Sequence, residues 1–129
     1  MANEITVTVS GGVTNGQFVD TIPSQTCRIN QNAIGGELGV RTVPTSAQAI
    51  PLGSVTTNGI AYFKNLDTTN YVEIGVYVGG TFYPLIRLAP VGNGNATGEA
   101  NVFRFSPGVT PYWQANTATC QVQMKVYQN

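Results

Sequence analysis

The chain has 129 residues, no histidine, and six basic residues against six acidic ones, so its formal net charge is zero. This is a one-domain length, and folding should bury roughly 13,000 Å², about two-thirds of the unfolded chain's surface, so size alone demands no disulfide or metal staple. Arg28, Arg41, Lys64, Arg87, Arg104 and Lys125 stand singly; with no basic tract to meet phosphates, nucleic acid is not expected as a partner.

So few proton-handling groups suit catalysis badly, and no enzyme activity, catalytic residue, metal or cofactor is expected. At 42% hydrophobic residues and so few charges, the exposed surface must be Thr, Asn, Gln, Ser and Gly. Such a surface repels neighbours weakly and suits permanent contact with other subunits. No basic segment followed by an apolar run trails Met1, so no signal peptide is expected. No run approaches the ~20 apolar residues of a membrane helix, so no membrane contact is expected either.

In chain order, Glu4–Val9 alternates Ile5, Val7 and Val9 with Thr6 and Thr8, the period of a half-buried strand. Gly11-Gly12 is expected to end it. Gln17–Ile22 reads as a second, irregular strand stopped by Pro23, and Ser24–Asn30 alternates around Cys27 and Ile29. Asn32–Gly39 reads as a loop, Arg41–Val43 as a short edge strand, and Gln48–Leu52 as a short apolar run cut by Pro51.

The second half is more regular. Gly59–Asn65 is a strand and Leu66–Asn70 a polar turn. Tyr71–Val78 and Thr81–Leu88 flank Gly79-Gly80, a hairpin signal because both glycines accept positive φ. That hairpin sets Val78 against Thr81, Val76 against Tyr83 and Ile74 against Leu85. Val72, Ile74, Val76, Tyr83 and Leu85 then share an aliphatic face expected in the core. Tyr71, Glu73, Tyr77, Phe82 and Ile86 share an amphipathic face suited to a partner. Ala89–Gly98 is a Gly- and Asn-rich loop, Asn101–Phe105 a strand, and Ser106-Pro107-Gly108 a turn. Tyr112-Trp113 is extended, and Thr117–Tyr127 is a last strand with Cys120, Val122, Met124 and Val126 on one face. About eight strands without a helix predict an all-β protein: one β-sandwich domain over residues 1–129, jelly-roll-like, with an immunoglobulin-like sandwich as the alternative.

Few motifs carry chemistry. Asp67 with Asn65 and Asn70 offers oxygens to calcium, yet an Asp in a turn ordinarily caps its own backbone. Asp20, Glu37, Asp67, Glu73 and Glu99 could pair as glycosidase carboxylates; for Glu73 a salt bridge with Arg87 or Arg104 is expected instead. Cys27 and Cys120 are expected as buried free thiols, a single bridge being the alternative. Asn95-Ala96-Thr97 matches a glycosylation acceptor that is expected to go unused. The aromatics Tyr71, Tyr77, Phe82, Tyr112 and Trp113, with Glu73, form the expected interface; a sugar-stacking platform of the same aromatics with Tyr83, Phe103 and Phe105 is the rival reading.

Asn70–Val76, Gly80–Leu85, Val102–Phe105 and Pro111–Val126, roughly the C-terminal half, resemble small β-rich proteins of tailed-phage virions. The resemblance implies a bacteriophage structural protein, a capsid decoration (cement) protein. It would be made in the host cytoplasm and carried on the virion, with the major capsid protein or other virion subunits as partners. A homo-oligomer, a trimer foremost, is expected, with Met1–Glu4 as an arm and Ala89–Gly98 as a neighbour contact. A tail or fibre protein and a carbohydrate-binding module are the alternatives.

Overall fold

The computed structural model describes residues 4–92, 98–106 and 108–129, with Asn58 described by its backbone alone. Met1–Asn3 of the expected arm, the acceptor motif Asn95-Ala96-Thr97 and the centre of the Ala89–Gly98 loop lie outside the described residues. Among the described residues there are ten strands and no helix. The chain divides into two compact units, Met1–Ala33 and Ile34–Asn129.

The first unit is one long antiparallel hairpin, β1 (Ile5–Asn15) with β2 (Phe18–Ile29). Contrary to the expectation from the sequence, Gly11-Gly12 does not end β1. The pairing shifts register between Val9 and Gly11, where Ser10 opposes both Pro23 and Ser24. The glycines therefore mark a bulge, and Pro23, which has no N–H to give to a ladder, is accommodated in it. Two segments expected to be separated by Pro23 are thus one strand. The chain reverses instead at Gly16-Gln17, with Gly16 at φ 59°. At the other end the Gln31 backbone N–H donates to Glu4 Oε2 (2.9 Å), and this bond holds the Glu4 carboxyl below its ordinary value. Glu4 is therefore tied to β2's far end, not part of a free arm.

The second unit is a sandwich-like pair of four-stranded sheets. One sheet has the order β3-β10-β5-β8, from β3 (Gly36–Val43), β5 (Asn58–Asn65), β8 (Ala100–Arg104) and β10 (Cys120–Gln128). The other has the order β4-β9-β6-β7, from β4 (Gln48–Ala49), β6 (Val72–Val78), β7 (Thr81–Leu88) and β9 (Tyr112–Ala115). The all-β expectation and the sandwich arrangement both hold. β3 is an edge strand as expected, but starts earlier, so Gly36–Gly39 pairs with β10 instead of looping.

The core lies between the sheets. Cys120, Val122, Met124 and Val126 are fully buried along β10, as the alternation predicts. They meet Val72, Ile74, Leu88, Trp113 and Ala115 from the opposite sheet. Phe63 anchors the aromatic part: its ring stacks on Phe103 (5.5 Å between centroids) and meets Trp113 edge-on (6.0 Å). One buried polar side chain, Asn65, fastens the loops. Its Nδ2 donates to the Asn70 (2.9 Å) and Leu88 (3.0 Å) carbonyls, and its Oδ1 accepts from the Asp67 N–H (2.9 Å).

The β6–β7 hairpin corrects one expectation. Gly79 (φ 60°) and Gly80 (φ 84°) make the tight turn as predicted, and Val78 faces Thr81 and Val76 faces Tyr83. Beyond Gly75↔Pro84, however, a bulge sets Ile74 against Ile86, not Leu85. Leu85 is left 74% exposed and Tyr83 52% exposed, while Ile86 turns in to pack on the core. Gly75 permits this: a Cβ there would stand 2.0 Å from the Tyr83 carbonyl oxygen and 2.9 Å from Pro84 Cα. Both obstacles are backbone, so no rotamer change relieves them. Gly75→Ala should therefore destabilise the protein by about 2 kcal/mol or more, as overpacking and register strain do, read as a lowered urea midpoint. An unchanged midpoint would show that the close approach is not a constraint.

Candidate functional site

The register decides which side chains share the outer face of the β4-β9-β6-β7 sheet. Alternation puts Glu73, Gly75 and Tyr77 of β6 on one side, away from buried Val72 and Ile74. Their cross-strand partners follow them: Arg87 and Gln114 beside Glu73, Tyr112 beside Gly75, and Phe82 beside Tyr77. Because Gly75 offers no side chain, the Tyr77 and Tyr112 rings close over that point. They stack with centroids 5.1 Å apart and planes 19° apart.

The charged groups of this face are matched to one another. Arg87 Nη2 lies 3.2 Å from Glu73 Oε2, the expected partner for that carboxylate. The same guanidinium sits 3.9 Å from the centre of the Tyr71 ring. An exposed ion pair of this kind contributes at most about 1 kcal/mol, and the cation–ring contact a similar amount. Their main effect is positional: Tyr71, Arg87 and Glu73 hold one another in place.

Of the six side chains expected at an interface, five share this face or its rim. Tyr77 is 43% exposed, and Tyr71, Glu73, Phe82 and Tyr112 are half-buried. Trp113 is the exception and the correction. It alternates to the inner face, is fully buried, and donates from Nε1 to Gln48 Oε1 (3.2 Å). An indole whose body packs on Phe63 and whose N–H is already satisfied is a core residue, not a contact residue. The alternation Tyr112-Trp113 alone could have separated the two, had β9 been given a facing strand.

Sequence reasoning missed the rim of the site. Exposed Leu85 and Tyr83 lie on edge strand β7, and Leu85 borders an apolar cavity of about 360 Å³. Ile74, Val76, Ile86, Phe103, Phe105 and Pro111 line it, with Arg104 and Ser106 as polar neighbours. It opens between β7 and β8, the two edge strands on that side of the sandwich. Its size suits a large apolar side chain or a small ligand.

The remaining candidates are occupied by local structure. Asp67 Oδ2 accepts from the Thr69 (2.8 Å) and Asn70 backbone N–H groups, so this carboxylate caps its turn as an Asx residue does. Both thiols are free. Cys120 is buried as expected, but Cys27 is exposed on the hairpin. Burial, with a smaller push from the Asp67 charge, raises the Cys120 thiol to about 11. Comparison with known protein families, curated proteins and solved structures finds no match to this chain.

The raised thiol predicts an alkaline weakness. Above the ordinary thiol value of 9.0, the unfolded chain releases this proton while the folded chain keeps it, so stability falls as pH rises. Between about pH 9 and 11 the loss should reach up to about 3 kcal/mol, at 1.36 kcal/mol per unit. Urea unfolding across this range should show the slope in the parent protein and lack it in Cys120→Ala; identical slopes would refute the assignment.

Proposed function

We propose that this chain is a non-enzymatic structural protein of a bacteriophage virion, a decoration protein that binds the assembled capsid. Its contact surface is the outer face built by Tyr71, Glu73, Tyr77, Phe82 and Tyr112. The observation that supports this reading most is the Tyr77–Tyr112 stack over Gly75 on a rigid sheet. Large aromatic surfaces, already ordered before contact and ringed by polar groups, are the anatomy of a protein-binding patch. The eight strands of the second unit support a jelly-roll reading. The chain passes between the sheets at every step from β3 to β10 except β6 to β7, yielding the orders β3-β10-β5-β8 and β4-β9-β6-β7.

The mechanism is thermodynamic linkage. A protein that binds the closed shell and not its separated subunits shifts the equilibrium toward the shell, by RT ln(1 + [L]/Kd) at each site. Leu85 and the adjacent cavity extend the contact to the edge of β7, where a partner's apolar side chain would be received. In this reading the neutral, weakly repelling surface favours close packing among virion subunits.

Co-sedimentation of the purified protein with capsids, tails and immobilised glycans tests the reading. Binding to capsids alone is expected, with the Tyr77→Ala, Tyr112→Ala double variant weakened at least about 30-fold, the loss that follows from removing a 2 kcal/mol anchor. Binding to tails alone would favour a tail or fibre protein. Glycan binding abolished by the same pair would favour a carbohydrate module, for which these tyrosines, and not Trp113, supply the exposed rings.

A further inference from the structure

The hairpin of the first unit is amphipathic from end to end. Its register puts Ile5, Val7, Val9 and Val13 on one face with Ile29, Cys27, Ile22 and Phe18. The opposite face carries Thr6, Thr8, Thr14, Thr21, Thr26 and Arg28, with Val19 its one large apolar residue. Thr8 and Thr26 pair their hydroxyls across it (3.0 Å). A threonine face is at home in water. The apolar face is not, and although Ile5 at its open end is buried, toward the turn Ile22 is 55% and Phe18 65% exposed, and Val9 and Val13 are exposed as well. Both strands also keep a free edge, since β1 and β2 pair only with each other among the described residues. A two-stranded hairpin in this state is marginal in water; strands gain independent stability from a third strand or a covered apolar face.

We propose that the hairpins of three copies of this chain close on one another, apolar faces inward and edges paired, as a six-stranded barrel. This goes beyond the capsid-binding reading above and names an element that would build the homo-oligomer expected from the sequence. Charge argues for a like partner. Asp20 is the only charged residue on the apolar face, and it lies two pairs from the turn, at the end of the barrel where water reaches it. Elsewhere identical faces meet without repulsion. Edges argue for a closed ring. Strands of 11 and 12 residues at ~3.4 Å per residue, ~4.8 Å apart, present roughly 370 Å² per face, and each copy buries that area in a pair as in a ring. Two faces pressed together leave all four edges open. Three hairpins in a ring bury the same face and in addition satisfy every edge, which closure alone achieves.

Sedimentation velocity of the full chain should report three times the 13.7 kDa of one chain. Val9→Lys with Ile22→Lys should reduce this to a single chain, while the emission of buried Trp113 stays native and shows the sandwich folded. Thr8→Lys, on the opposite face, should keep the triple mass. Cys27 faces inward in the barrel, so its reaction with a water-soluble thiol reagent should be at least tenfold slower in the parent than in the double lysine variant. A single-chain or two-chain mass for the parent overturns the proposal. So does a double lysine variant that keeps the parent's mass, or a Cys27 equally reactive in both. The Tyr77→Ala, Tyr112→Ala variant should keep the triple mass whether or not capsids bind it, so loss of the capsid reading and loss of this one are told apart.

Discussion

One backbone contact governs the surface of the second unit: the Tyr83 carbonyl pressed against the α-carbon of Gly75. The approach leaves no room for a Cβ, and it is where the β6–β7 ladder changes register. On the turn side of it, Tyr77 and Phe82 face outward together. On the other side, the slip sends Leu85 out and Ile86 in. Without the slip, Leu85 would add to the core and the β7 edge would be less apolar. The same missing side chain lets Tyr77 and Tyr112 meet across the position it vacates. A single glycine thus sets both the composition of the rim and the stacking at the centre.

The elements most legible in the sequence were those in which one rule decided the outcome. β10 alternates four apolar residues with polar ones, and all four are buried. Gly79-Gly80 fixed its turn because few other residues accept positive φ twice in succession. The two hairpin failures share a cause: a bulge changes facing by one residue without any strong composition signal. Gly11-Gly12 read as a stop and Pro23 as a break, when together they mark an irregular pair within one long ladder. Gly75 with Pro84 did the same to the second hairpin. Small residues and prolines inside strands signal interrupted pairing, but not whether the chain stops there or only slips.

For the site, a period-two count put Tyr71, Glu73, Tyr77 and Phe82 on one side, and the register keeps them there. Trp113 was misjudged because its strand is only four residues long, too short for alternation to be evident without its neighbours. Burial of Trp113 is a consequence of pairing: Ile74, its cross-strand partner, is itself in the core. Leu85 could not have been found, since its exposure depends on the slip opposite Gly75. Cys27 was expected inside because it alternates with Thr26 and Arg28; it does lie on the apolar face, but on a stretch of it that is exposed.

The two units leave apolar surface exposed in different ways, and the difference constrains what each can bind. On the sandwich, aromatic rings alternate with an ion pair and polar side chains, and the sheet beneath is held by a complete core. That face is stable without a partner, so contact with one can be reversible and selective. The hairpin's face is apolar and nearly uncharged, on a sheet of only two strands, so it has little stability to lose and little specificity to offer a foreign surface. Exposed flat edges beside an aliphatic face would pair indiscriminately. Under the proposed closure, the same features become self-matching, because the ring removes every edge and every large apolar side chain of that face at once. With only six basic and six acidic residues, charge repulsion does little to keep such faces apart, and copies of the chain are the one surface certain to be present at its synthesis.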